Sequence, residues 1–174
     1  MEHGPLLASM GTTERSEPEV SPGPESTTRV LSYAGAVLTA IVAGIHLFHP
    51  GHGVTKLLTI VAADPALLVF DPRPLACVLS ALGLLTGLIL SRSVTDRRPY
   101  YLAGILSAVV YLVGYFTWQF TGYGGFLPGR EPLLHDLSPL ENVLAHLTGD
   151  LWAAVAKATE LALIGVLGAL YLDE

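Results

Sequence analysis

The chain has 174 residues, 51% of them apolar and only 14% charged, with a formal charge of −6 from 9 basic and 15 acidic residues. A charged share this far below the quarter usual in soluble domains, with a mean hydropathy of +0.54, points to an integral membrane protein. The acidic balance argues against nucleic acid as a partner, and the single cysteine, Cys77, excludes an internal disulfide, a Cys-x-x-Cys redox pair and a zinc site built on cysteines.

Residues 1–28 differ in character from the rest. Pro5, Pro18, Pro22 and Pro24 alternate with Glu2, Glu14, Glu17, Glu19 and Glu25 against a lone Arg15. Such a segment buries too little apolar surface to offset its chain entropy, so a disordered tail is expected. It has no basic start, apolar centre and small-residue cleavage site of the kind a signal peptide carries, and Met10 is an alternative start.

From residue 29 onward four apolar runs follow. Residues 30–48 contain only Tyr33 and His46 as ionisable groups, and 19 residues nearly suffice to cross a hydrocarbon layer of about 30 Å. Residues 75–91 follow Pro72 and Pro74, which suit a helix start. Residues 100–120 have aromatic ends, Tyr100, Tyr101 and Trp118, of the kind that favours the headgroup level. Residues 151–172 are apolar apart from Lys157 and Glu160. Between the first two runs, residues 54–63 form a short helix stopped by Asp64-Pro65. Ser138-Pro139-Leu140-Glu141 has the form of a capping box. A helix from there to residue 172 would be about 51 Å long, so it must stand outside the hydrocarbon or break near Gly149. The expected fold is therefore all-α: a four-transmembrane-helix bundle over residues 29–174.

Arg29, Arg92, Arg97 and Arg98 fall on one side of these spans, against Lys56, Arg73 and Arg130 in longer loops on the other. The positive-inside rule then places both termini in the cytoplasm of a multi-pass cell-membrane protein. Five of the six histidines (His46, His49, His52, His135 and His146) gather at the outer end, and the sixth, His3, lies in the tail.

At 100° per residue, Asn142, His146, Asp150, Lys157 and Glu160 share an arc of about 80°. A charge facing lipid costs about 2.5–3.5 kcal/mol, so this stripe turns inward. Matching faces exist on the other spans: Ser32, Gly35, Thr39 and His46; the ridge with Gly83-x-x-x-Gly87, which permits close helix approach; and Ser107, Tyr111, Gly114 and Trp118. The expectation is an intramembrane polar seam containing Asp150, Lys157, Glu160 and Tyr111, wettest toward the outside.

Several patterns suggest chemistry. His46-x-x-His49-x-x-His52 resembles a metal-ligand spacing, with His46, His49 and His146 as candidate ligands, although Pro50-Gly51 ends the helix between them. A b-type haem between His46 and His146 is a second redox possibility, weakened by their different heights along the bundle. Lys157 and Glu160 are either a satisfied pair fixing helix register or part of an ion path. Gly122-Tyr-Gly-Gly125 reads as a turn. HExxH, GxSxG and P-loop patterns do not occur.

The stretches Gly44-Ile-His-Leu-Phe48, Tyr100-Tyr-Leu-Ala-Gly-Ile105, Trp118 with Gly122-Tyr-Gly-Gly125, and Lys157-Ala-Thr-Glu-Leu-Ala-Leu163 resemble a family of small four-helix membrane proteins of haloarchaea with no assigned activity. The resemblance implies the four-span topology and supplies no catalytic residue. Two functional expectations stand. One is a non-enzymatic membrane subunit or scaffold that needs no cofactor and whose partners are the bilayer, other membrane subunits or itself. The other is a metal- or haem-binding redox or sensor protein using the outer histidines.

Overall fold

The computed structural model describes Met1 and residues 24–174. The expected disordered tail, with His3, falls mainly on residues 2–23, outside the described residues. Among the described residues the chain is entirely helical: α1 (Pro24–Phe48), α2 (Val54–Ala63), a 3-10 helix (Pro65–Val69), α3 (Arg73–Leu90), α4 (Arg98–Phe120), α5 (Pro139–Gly149) and α6 (Leu151–Asp173). Four of these, α1, α3, α4 and α6, are long and apolar enough to cross a membrane. Helix α1 reaches back to Pro24, over the last residues that composition assigned to the tail.

The boundaries follow local chemistry. Prolines sit in the first turns of α3, α4 and α5, where a missing N–H costs no helical hydrogen bond. Asp64 ends α2 and caps the following 3-10 helix, its carboxylate accepting from Ala66 N at 2.9 Å. Ser138 and Glu141 form the reciprocal capping box at the start of α5. The overlong helix expected before residue 172 breaks between Gly149 and Asp150. There the backbone is extended (φ −114°, ψ 106°), and the Asp150 carboxylate caps α6 by accepting from Trp152 N and Ala153 N.

Helix α6 runs down the middle of the packing, with its broadest faces against α4 and α1, while α1 also packs on α3. The buried cluster is Val42 and Ala43 of α1, Ala81 and Leu84 of α3, Ala108 and Tyr111 of α4, and Leu163, Leu167 and Leu170 of α6. Close approach is set by glycines that face α6. A Cβ on Gly104 would lie 2.6 Å from Leu167 Cδ1, and one on Gly35 would lie 3.3 Å from Leu167 Cδ2. The Gly83-x-x-x-Gly87 ridge does not play the part expected of it: a Cβ on Gly83 would meet nothing within 4 Å. Both glycines instead line a cleft of about 530 Å³ bordered by α1, α3 and α4. Small residues permit close packing without compelling it, and α4 turns its own glycine toward α6. The start of α1 and the end of α6 share one end of the bundle. Thr28 Oγ1 donates to Asp173 there at 2.7 Å, and Arg97 N donates to Glu174 at 3.1 Å.

At the opposite end the chain reverses sharply after α1, with Gly53 N donating to His49 O at 2.7 Å. Gly53 is buried with ordinary φ, and its need is for space. A Cβ there would lie 2.3–2.8 Å from the backbone oxygens of Leu47 and His49 and from His49 N. Backbone atoms cannot rotate away, so Gly53→Ala is expected to lower the stability of the purified protein by about 1–3 kcal/mol. Gly44→Ala, into open space, is expected to leave it unchanged, and thermal melts followed by circular dichroism in detergent check both.

Candidate functional site

The site is built around Glu160, whose side chain is completely buried about 14 Å along α6. One turn earlier, Lys157 lies with Nζ 2.8 Å from Oε1 and 2.7 Å from Oε2. The first contact is an aligned hydrogen bond, and the second is charge contact without that alignment. From α1, His46 Nε2 donates to Glu160 Oε1 at 2.9 Å. From α4, the backbone carbonyl of Tyr111 accepts from Lys157 Nζ at 3.2 Å. The Tyr111 ring stacks on His46 with centroids 3.6 Å apart and 14° between planes. Its hydroxyl shares a 2.7 Å hydrogen bond with Ser80 Oγ of α3. All four long helices thus meet in one polar network. An ionised carboxylate removed from water is costly unless paired and hydrogen-bonded, and here each partner comes from a position that packing already fixes.

Of the expected seam, Lys157, Glu160 and Tyr111 are buried together. Asp150 is corrected: it is exposed and caps α6. The helical-angle argument carried Asp150 along one continuous helix, whereas the break at Gly149–Asp150 starts a new helix there. His146, on α5, is likewise apart from the Glu160 network. Its Nδ1 donates to Asn142 O at 2.7 Å, and its Nε2 accepts from the Tyr123 hydroxyl. With both ring nitrogens engaged, joint ligation of a haem by His46 and His146 would have to break these bonds. His49 stacks on His52 with centroids 3.5 Å apart, and its Nδ1 accepts from Gly51 N at 3.0 Å.

Sequence reasoning included His52 in the histidine spacing but missed how it reaches His46, and it missed Cys77. The turn at residues 49–53 folds His52 back to 6.3 Å from His46 between ring centroids. Cys77, in the first turns of α3, joins them: one ring nitrogen of each histidine and Cys77 Sγ all lie within 4.8 Å of one another. His46 Nδ1 is buried with no hydrogen-bond partner. Burial above all, then the neighbouring charges of His49 and Arg73, lowers the His52 pKa to about 3. Burial lowers that of His49 as well, against an opposing pull from Asp150. Both imidazoles are neutral at physiological pH. No periodicity within α1 reveals this cluster, because it is made by a reversal and a neighbouring helix.

A cationic–aromatic clamp closes the same end. The guanidinium of Arg73 lies 3.8 Å from the centroid of Trp118, and that of Arg130 lies 4.9 Å from it. Arg73 also forms a two-point ion pair with Asp71, both contacts 2.8 Å. Burial alone would raise the Asp71 carboxyl, but the bonds and charge of Arg73 hold it below its usual value. Arg130 donates to Tyr123 O at 2.5 Å, tying the segment after α4 to the bundle. The glycine-rich segment is a turn, as expected. At Gly124 (φ +82°) a Cβ would strike the Trp118 ring at 2.6 Å.

Replacing Lys157 alone by Met leaves Glu160 buried with half its compensation. The expected loss of stability is about 3–5 kcal/mol, read from thermal melts of the purified protein. Leu161→Ala on the exposed face of the same helix is expected to cost far less. Against known proteins, the chain matches no family model, and no curated protein or solved structure is significantly similar to it.

Proposed function

We propose that the chain is an integral membrane protein with four transmembrane helices and no catalytic activity of its own, acting as a small subunit or scaffold. The observation that carries this reading is the buried network of Glu160, Lys157, His46 and Tyr111, which joins every long helix through polar contacts. Such groups are expensive in hydrocarbon and specify one arrangement, because a rotated or shifted helix would leave a charge unpaired. The outward faces support the membrane part of the reading. Val37, Leu82, Leu106, Val110 and Leu161 are each more than 40% exposed, a surface that lipid covers and water does not. The partners of this reading are the bilayer and either other membrane subunits or a second copy. The Arg-rich segment at 92–98, together with Arg29, supports cytoplasmic placement of both termini.

The test is the double variant Lys157→Leu with Glu160→Leu, extracted from its native membrane in mild detergent. Its melting midpoint is expected to fall by at least about 5 °C, and the mass that accompanies the wild-type protein on a native gel is expected to be lost. Wild-type stability together with wild-type associated mass in that variant would overturn the reading. The arrangement of His46, His52 and Cys77 favours a further, metal-binding role.

A further inference from the structure

We propose that His46, His52 and Cys77 form a three-coordinate binding site for a soft monovalent cation, copper(I), at the end of the polar network next to the reversal after α1. The first support is orientation. The Glu160 carboxylate, paired with Lys157, only accepts hydrogen bonds, so the proton on the His46 ring sits on Nε2. The lone pair is therefore on Nδ1, which is buried and unpartnered. A histidine with one ring nitrogen held by a carboxylate and the other bare is the arrangement that orients imidazole ligands toward metals and raises their basicity. Stacking on Tyr111 fixes the ring plane as well.

The second support is convergence. Three donor atoms from α1, the reversal after it and α3 lie within 4.8 Å of one another. Bonds of about 2.0–2.3 Å in a trigonal plane need donors about 3.5–3.8 Å apart, so closure takes roughly an ångström of side-chain rotation. None of the three depends on a residue outside the described chain.

Ion choice follows from donors and charge. Thiolate sulfur selects copper(I) or zinc, and imidazole suits both. Zinc would need a fourth ligand beyond these three, such as water, in a buried site, whereas copper(I) is satisfied by two or three donors. One thiolate and two neutral imidazoles around a monovalent ion give a neutral centre, the Cys77 proton passing to solvent as the bond forms. A divalent ion would leave a net positive charge in a buried site beside Lys157.

The test uses the full-length protein in detergent, titrated anaerobically with copper(I) against a chromophoric copper(I) chelator. In parallel, it is titrated with zinc(II) against a zinc chromophore. Wild type is expected to take one equivalent of copper(I) and to show near-ultraviolet thiolate-to-copper absorption. Cys77→Ser, nearly isosteric and thus safe for the fold, is expected to abolish both. His52→Ala is expected to weaken binding at least tenfold, whereas His135→Ala, at an exposed histidine away from the cluster, stays within about threefold of wild type, with folding of each variant checked by circular dichroism. Less than a fifth of an equivalent in wild type, or uptake unaffected by Cys77→Ser and His52→Ala, would overturn the site. Stoichiometric zinc(II) uptake without copper(I) uptake would overturn the choice of ion. Because the scaffold reading is judged on associated mass in a variant lacking Lys157 and Glu160, the two proposals fail separately.

Discussion

Everything at the histidine-rich end depends on keeping one carboxylate out of water. Glu160 has no contact with solvent, and its two oxygens are met by an ammonium from its own helix and an imidazole from α1. Lys157 is where helical spacing must put a partner, one turn back on the same face. His46 is not so placed: it requires α1 to cross α6 at one height and one rotation. The Tyr111 carbonyl imposes the same demand on α4, and the Tyr111 hydroxyl passes it to Ser80 on α3. Apolar packing between helices in lipid has many near-equivalent solutions, because lipid tails are as apolar as leucine. A buried carboxylate needing donors from two helices removes most of them.

Two interruptions of regular helix create the rest of this end. At residues 49–53 the chain turns back so tightly that only glycine fits at Gly53, and the turn carries His52 toward His46. At Gly149–Asp150 the entering segment α5 is separated from α6. Asn142 and His146 are thereby released to serve a different layer: Asn142 Nδ2 donates to Gln119 O at 2.6 Å, and His146 meets Tyr123. The two layers stack as a lower Glu160–Lys157–His46 network and an upper one around His146. Trp118, with Arg73 and Arg130 over its ring, stands between the loops and the bundle.

Much of this was legible in the sequence, and the reasons differ by residue. The four long helices follow from apolar length, and residues 54–63 and the capping box at Ser138 follow from local stop and start signals that act within a few residues. The Lys157–Glu160 pair and the inward turn of Tyr111 follow from helical angles along single unbroken helices. The angle argument failed at Asp150 because it ran across a break, although a break near Gly149 was one of the two outcomes that the length of the helix allowed. The metal-like spacing of His46, His49 and His52 pointed to the right region. The partners that converge are His52 and Cys77, since the proline-glycine pair destroys the helical register on which the spacing was judged. Cys77 carried no local signal, for a lone cysteine on an apolar helix looks like packing until the neighbouring helix is known. Arg73 and Trp118 were readable separately as span-end residues, and only the fold brings them together.

The seam was also expected to be wettest toward the histidine end, yet the Glu160 network itself is closed to solvent, with Glu160, Lys157 and His46 all buried. Around Glu160 most polar groups pair with one another, His46 Nδ1 excepted, and aromatic rings roof them, which lowers the local dielectric and strengthens each contact. Open space lies near the chain ends, where Ser32, Ser91, Ser107, Arg92 and Arg97 border the cleft between α1, α3 and α4, and also at the other end between α4 and α5, along the apolar side chains Phe116, Phe120 and Leu144. Polar residues in a bundle therefore do not by themselves mark where water enters. Ser32 and Ser107 bond back to Thr28 O and Ala103 O of their own helices, whereas Ser80 bonds back to Ala76 O and also bridges to the Tyr111 hydroxyl of α4. At the chain-end cleft α1, α3 and α4 stand apart, while at the level of Glu160 the same helices are drawn together by the polar network.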